Sequence, residues 1–151
     1  MKIAYLLFVK TWARTVGKVR AFGAVTVISP AIGGLVIGQE VARQLGVRFI
    51  FTEKEEGKLA LRRGFKIAPG EKILVVEDVV TKGGRVQETI DIVRAHGGNV
   101  VGATAIVDRS NGAVNFGVPF ASLISLRVET FEPDRLPPDL AKIPVVKPGS
   151  K

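Results

Sequence analysis

The sequence of 151 residues contains no cysteine and only one histidine, His96. A chain without cysteine forms no disulfide framework, cysteine zinc site or cysteine nucleophile, and one histidine excludes a multi-histidine metal site. Long apolar runs are also missing. The longest near the start, residues 3–9, has seven residues, against roughly 20 in a membrane helix. Four basic residues follow without a small-residue cleavage site, so we expect no signal peptide and a cytoplasmic protein.

Acidic residues are scarce at the two ends of the chain. The sequence has 22 Lys and Arg against 14 Asp and Glu, a formal net charge of +8. Residues 1–20 hold five of the basic side chains and residues 142–151 hold three, with no acid in either segment. A basic chain invites a nucleic-acid interpretation. Because residues 21–141 are balanced, the sequence argues against a nucleic-acid partner, with RNA contact open only at the ends.

Short apolar runs alternate with helical patterns along the chain. Runs rich in Val and Ile, without alternation, are typical of parallel strands buried on both faces. Their alternation with helices predicts an α/β domain with a mostly parallel central sheet flanked by helices. Ligands in such sheets bind beyond the carboxyl ends of the strands. Strands are predicted over residues 24–28, 47–52, 72–77, 99–107 and 120–128, and helices over residues 3–20, 35–45 and 85–96.

Two segments differ from this pattern. Residues 53–66 are charged and contain two glycines, which predicts a flexible, exposed β-arm whose second strand spans residues 60–67. From residue 131 onward the chain has five prolines and little periodicity. We therefore predict a single domain, residues 1–151, with an atypical helix in residues 1–23 and a proline-rich tail in residues 132–151. The arm's basic residues, suited to closing over a polyanion, are Lys54, Lys58, Arg62 and Arg63.

The most specific signal is the segment ILVVEDVVTKGGR, residues 73–85. A buried strand ends in two acids, Glu77 and Asp78, and a short loop with two glycines opens directly into a helix. Free N–H groups at a helix N-terminus bind anions, and glycine lets the backbone approach them closely. Two carboxylates would repel a lone phosphate but can accept hydrogen bonds from two ribose hydroxyls. The segment therefore predicts a ribose-phosphate site, and without GxxxxGK[ST] it is no Walker loop.

This segment resembles the signature of the type I phosphoribosyltransferases, which bind 5-phosphoribosyl-1-diphosphate. Residues 29–46, 51–65, 106–113 and 116–126 narrow the resemblance to orotate phosphoribosyltransferase. The resemblance implies transfer of phosphoribose to orotate, giving orotidine 5′-phosphate and diphosphate in pyrimidine biosynthesis. It also implies the type I phosphoribosyltransferase fold, a homodimer, and Mg²⁺ held through the substrate diphosphate rather than by a protein metal site.

The resemblance implies a role for each matching position. Asp78 would hold a ribose hydroxyl near the charge that develops on the sugar, and Lys58 would close over the diphosphate, so both are expected to be catalytic. The loop of residues 81–85 would wrap the 5-phosphate, and Arg109 would recognise the orotate carboxylate. The expected substrate-binding residues are Glu77, Asp78, Val79, Val80, Thr81, Lys82, Gly83, Gly84, Arg85, Arg109, Lys54, Ser29, Pro30 and Ala31.

The sequence departs from the family at its start. Family members carry several dozen further residues before the strand matching residues 24–28, including a segment that covers orotate. We therefore expect a shortened N-terminus with little or no hood. Two alternatives stay open: a phosphoribosyltransferase-like regulatory or binding protein without turnover, and a transferase for another base. The second is disfavoured by the Asp108-Arg109 pair, since an arginine suits a carboxylate-bearing ring.

Overall fold

The computed structural model describes residues 16–129, 131 and 134–144. Residues 16–20 are helical and are called α1. Most of the helix predicted over residues 3–20 lies outside the described residues. The elements that follow alternate as the sequence predicts. They are β1 (Thr26–Pro30), α2 (Gly34–Leu45), β2 (Arg48–Glu55), β3 (Lys58–Leu61), β4 (Lys72–Val80), α3 (Gly84–Ala95), β5 (Asn99–Asp108) and β6 (Phe120–Ser125).

The strands form one six-stranded sheet in the order β3-β2-β1-β4-β5-β6. Every neighbouring pair is parallel except β2 and β3, which form an antiparallel hairpin. The predicted mostly parallel sheet is confirmed. From β1 the chain moves outward to β2 and β3, then returns to the other side of β1 as β4. The reversal between β1 and β4 is where an open α/β sheet leaves a crevice at the carboxyl ends of its strands.

Helices cover both faces of the sheet and bury two apolar clusters. On one face α3 packs through Val86, Ile90 and Val93, each at most 1% exposed, against strand residues such as Ile28 and Ile50. On the other face α1 and α2 pack on β1 and β4. Val86, Ile90 and Val93 therefore form the buried face of the helix that follows the signature segment. Among the described residues, no helix is long and apolar enough to cross a membrane.

Several strand boundaries differ from the prediction. Strand β4 continues through residues 78–80, because Val79 and Val80 pair with Val107 and Asp108 of β5. The predicted loop therefore begins three residues later. Strand β1 runs to Pro30, beyond the predicted end at residue 28. Strand β6 ends at residue 125 rather than 128. The proline-rich tail falls partly outside the described residues, and residues 134–144 lie in turns and irregular chain.

The predicted β-arm is the hairpin of β2 and β3, with its second strand at residues 58–61 rather than 60–67. In this structure the arm packs on α3, because Leu59 is 7% exposed and its N–H donates to Glu88 Oε1 at 2.6 Å. Arg63 makes two 3.0 Å hydrogen bonds to Glu53. Arg62 lies 3.3 Å from Glu55. These arginines, expected to face a polyanion, instead pair with acids of the arm.

Candidate functional site

A cleft of about 540 Å³ opens where β1 and β4 diverge, beyond their carboxyl ends. The turn after β1 forms one wall, and the end of β4 with the first turn of α3 forms the other. Gly33, Val86 and Glu88 also line the cleft. Val86 and Glu88 were not predicted, because both lie inside the helix, behind the loop that carries the motif. The residues predicted to bind substrate that line it are Pro30, Ala31, Glu77, Asp78, Val79, Val80, Thr81, Gly83, Gly84 and Arg85.

Five predicted residues are not part of this lining. Ser29 is fully buried beneath α2, where a Cβ added at Gly38 would lie 2.0 Å from its Oγ. Ser29 does not line the cleft, and its expected place against a ligand stays a prediction. Lys54 and Lys58 lie on the arm, in strands β2 and β3. Lys82 and Arg109 line a neighbouring cavity, so Lys82 does not lie in the cleft where the motif suggested a phosphate.

The two acids of the cleft have different surroundings. Glu77 is 6% exposed, whereas Asp78 is only half-buried. The Asp78 N–H donates to Glu77 Oε1 at 2.9 Å, and the Val79 N–H donates to Asp78 Oδ1 at 2.7 Å. Burial raises the pKa of Glu77 to about 8, and the neighbouring Asp78 adds to the increase. At neutral pH Glu77 is therefore mostly protonated, and the pair repels an anion less than two free carboxylates would.

The pKa of Glu77 predicts how stability depends on pH. Its carboxyl is raised from 4.5 to about 8 in the folded protein, so the folded state binds more protons than the unfolded state between these values. The free energy of unfolding of the wild type is expected to fall as pH rises through this window, by up to about 1.4 kcal/mol per pH unit. Glu77→Gln removes the titration. Urea unfolding of both proteins would be measured from pH 5 to 9. The free energy of unfolding of Glu77→Gln relative to wild type should rise until about pH 8. A difference between the two proteins that stays constant with pH would contradict the prediction.

The turn after β1 approaches these acids through two positions that carry no side chain, Gly33 and Gly34. A Cβ added at Gly33 would lie 2.5 Å from Asp78 Oδ2, and one at Gly34 would lie 3.3 Å from Glu77 Oε1. Gly33 has φ −56° and ψ −44°, which any residue adopts, so its requirement is one of space alone. The two consecutive glycines therefore let the start of α2 pack against the carboxyl pair.

The N-terminus of α3 faces the cleft through Gly83, Gly84 and Arg85. No side chain caps this helix, and its first turn has no acid. Free N–H groups and the positive end of the helix dipole favour an anion here. Gly83 has φ +77°, and a Cβ added to it would lie 2.9 Å from Phe116 and Val114 side-chain atoms. The loop geometry that points the helix at the cleft thus depends on this glycine.

Glu88 joins the arm, the helix and the cleft. Its Oε1 accepts the Leu59 N–H of β3, and its Oε2 accepts a hydrogen bond from Arg85 Nη1 at 2.9 Å. Glu88 also lines the cleft. In this structure one carboxylate therefore links the arm to the cleft-lining Arg85.

A second cavity, of about 490 Å³, lies beside the cleft. Thr81 lines both spaces, so the two adjoin at the loop after β4. Arg109 follows β5, and its backbone N–H donates to the Val80 carbonyl at 2.8 Å, which anchors it next to the end of β4. The remaining lining residues are Lys82, Ser110, Asn111, Ala113, Val114 and Val128. Across the described ranges, no group of three or more His, Asp or Glu side chains is placed to hold a metal ion.

Comparison with known proteins agrees with this geometry. The family model for the phosphoribosyl transferase domain matches residues 13–116. The chain belongs to the phosphoribosyltransferase family. Membership confirms the family resemblance of the signature segment, and it accounts for a cleft that combines an acid pair with the N-terminus of a helix.

Two curated relatives are both named orotate phosphoribosyltransferase. The protein of Caldanaerobacter subterraneus is 52% identical over 134 residues, which cover 89% of this chain and 70% of the relative. That of a Thermoanaerobacter species is 57% identical over 125 residues, covering 83% and 66%. The chain thus spans about two thirds of the length of these relatives.

Solved structures show the same fold. The crystal structure of orotate phosphoribosyltransferase from Aeropyrum pernix matches with a TM-score of 0.64 and 24% identity, covering 83% of this chain and 73% of that one. An adenine phosphoribosyltransferase matches with a TM-score of 0.66 and 15% identity, covering 82% and 81%. The type I phosphoribosyltransferase fold predicted from the sequence is therefore confirmed.

Proposed function

We propose that the protein transfers phosphoribose from 5-phosphoribosyl-1-diphosphate to orotate, releasing diphosphate and forming orotidine 5′-phosphate in pyrimidine biosynthesis. The observation that carries the proposal is one cleft in which the Glu77–Asp78 pair faces the uncapped N-terminus of α3. The shared name of the curated relatives supports orotate as the acceptor.

In this proposal the cleft holds the sugar. Glu77 and Asp78 hydrogen-bond the two ribose hydroxyls, and the backbone of residues 81–85 binds the 5-phosphate at the start of α3. The bond from the anomeric carbon to diphosphate oxygen breaks, and a bond to a ring nitrogen of orotate forms as that nitrogen loses its proton. Positive charge develops on the sugar as the first bond breaks, and the Asp78 carboxylate stabilises it. The proposal assigns the diphosphate to the wall that the turn at Pro30 and Ala31 forms.

Magnesium fits the donors of this cleft, because Mg²⁺ prefers oxygen and binds through one or two carboxylates together with substrate phosphates. Asp78 is the half-buried carboxylate that would face it, and the ion would offset the charge of the diphosphate. The proposal assigns Lys54 and Lys58 to closure of the arm over the same group. It also includes the homodimer that the resemblance implies, and the single domain over residues 1–151 and the cytoplasmic location that the sequence predicts.

A base panel tests the function. Diphosphate release would be measured with 5-phosphoribosyl-1-diphosphate and Mg²⁺, adding orotate, uracil, adenine or hypoxanthine in parallel, with a reaction lacking base as the control. We expect release with orotate and little with the other bases. Release with a purine but none with orotate would identify a transferase for another base. Binding of the sugar diphosphate without release on any base would identify a regulatory or binding protein.

A further inference from the structure

We propose that Lys82 is a specificity-determining residue that selects, together with Arg109, a base carrying a carboxylate. The inference deepens the proposed function and rests on it. The position of Lys82 in the motif suggested a phosphate contact, but in the structure Lys82 lies on the second cavity with Arg109. Thr81 and Gly83, on either side of it, both line the cleft while Lys82 does not. The loop therefore directs this lysine away from the phosphate side.

The charge of the second cavity favours an anion. Its lining contains two cations, Lys82 and Arg109, and no acid. Both side chains are exposed, and within residues 16–129, 131 and 134–144 neither takes part in an ion pair. By contrast, Arg85 on the cleft is paired with Glu88 at 2.9 Å. In the described part of the chain, the two cations of the second cavity are thus unpaired, whereas the arginine of the cleft is not.

The rest of the lining suits a flat, polar heterocycle. Ala113, Val114 and Val128 offer apolar contact, while Ser110 and Asn111 add polar groups. Because Thr81 lines both spaces, a ring in this cavity adjoins the sugar proposed for the cleft. A ring carboxylate would gain charge-assisted hydrogen bonds from the two cations. A ring without one would gain nothing from Lys82, so the lysine discriminates between the two.

Lys82→Met is compared with Lys72→Met, its matched control. Lys72 lies at the exposed start of β4, at the end of the strand opposite to Lys82, so its replacement removes an equal charge far from the cavity. Loss of one exposed charged hydrogen bond should weaken binding by about tenfold. We expect Lys82→Met to raise the Kd of orotate, measured by calorimetry, and its KM by about this factor. The Kd of uracil and the KM for the sugar diphosphate should stay within about twofold of wild type. Lys82→Arg should restore orotate binding, and Lys72→Met should match wild type.

An unchanged orotate Kd in Lys82→Met would overturn the inference, as would a rise in the KM for the sugar diphosphate without a change for orotate. The second result would return Lys82 to the phosphate. Calorimetry separates this failure from failure of the proposed function, since binding needs no turnover. Wild type that binds orotate without turning it over contradicts the function, while the Lys82 comparison still decides the inference. Wild type that does not bind orotate overturns both.

Discussion

Asp78→Asn is expected to lower the rate of diphosphate release by about 10²–10³-fold, with little change in stability. The amide keeps the size of the carboxyl and an oxygen to accept the Val79 N–H, which Asp78 Oδ1 now accepts at 2.7 Å. What it loses is the negative charge beside the sugar. Because Glu77 is mostly protonated at neutral pH, the charge lost at Asp78 has no full substitute in the pair. The measurements are steady-state kinetics with orotate and a thermal unfolding curve.

Asp91→Asn is the matched control for this variant. Asp91 is exposed on α3, where it accepts a hydrogen bond from Gln87 at 2.9 Å, and it does not line the cleft. Its replacement should leave the rate within about twofold of wild type, as for most surface changes. Equal rates for Asp78→Asn and Asp91→Asn would remove Asp78 from the catalytic role assigned to it.

Gly33→Ala is the second change with a large expected effect, an activity loss of about 10²-fold. The added Cβ would lie 2.5 Å from Asp78 Oδ2, so the carboxylate must rotate away. Alanine fits the helical φ and ψ of Gly33, and the clash is with the end of a side chain that can move. The Tm should therefore change little while the rate falls, which separates displacement of Asp78 from unfolding.

Gly17→Ala provides the comparison, since no atom lies within 4 Å of a Cβ added there. Gly17 lies in the described part of α1, where alanine is preferred to glycine, so this variant should keep full activity and at least the wild-type Tm. If Gly33→Ala were as active as Gly17→Ala, then the close approach of the turn to Asp78 would have no part in catalysis.

The sheet was predictable because its strands are continuous apolar runs separated by helical patterns. The ends of β1 and β4 were not. Serine, proline and acidic residues usually end strands, and they stand near the ends of β1 (Ser29, Pro30) and β4 (Glu77, Asp78). Both strands nevertheless continue, because Pro30 pairs with Thr52 and Val80 pairs with Asp108. Long-range pairing therefore overrode local preference at the edge of the sheet where the cleft opens.

The cleft was predictable where one contiguous motif builds it, as residues 77–85 do. Its remaining features depend on contacts between distant segments. Glu88 meets Leu59 across 29 positions of the chain, and no local pattern marks that contact. Lys82 shares its cavity with Arg109, Ser110 and Asn111, which come from a segment distant in the sequence. Sequence alone assigned the lysine to the phosphate because it lies within the motif.

The most direct test of the central claim is identification of the product. The protein would be incubated with 5-phosphoribosyl-1-diphosphate, Mg²⁺ and orotate, and the sugar products separated and identified by mass spectrometry while diphosphate is measured in the same samples. The proposed function predicts orotidine 5′-phosphate in an amount equal to the diphosphate released. Ribose 5-phosphate as the only sugar product, or no product at all, would contradict it.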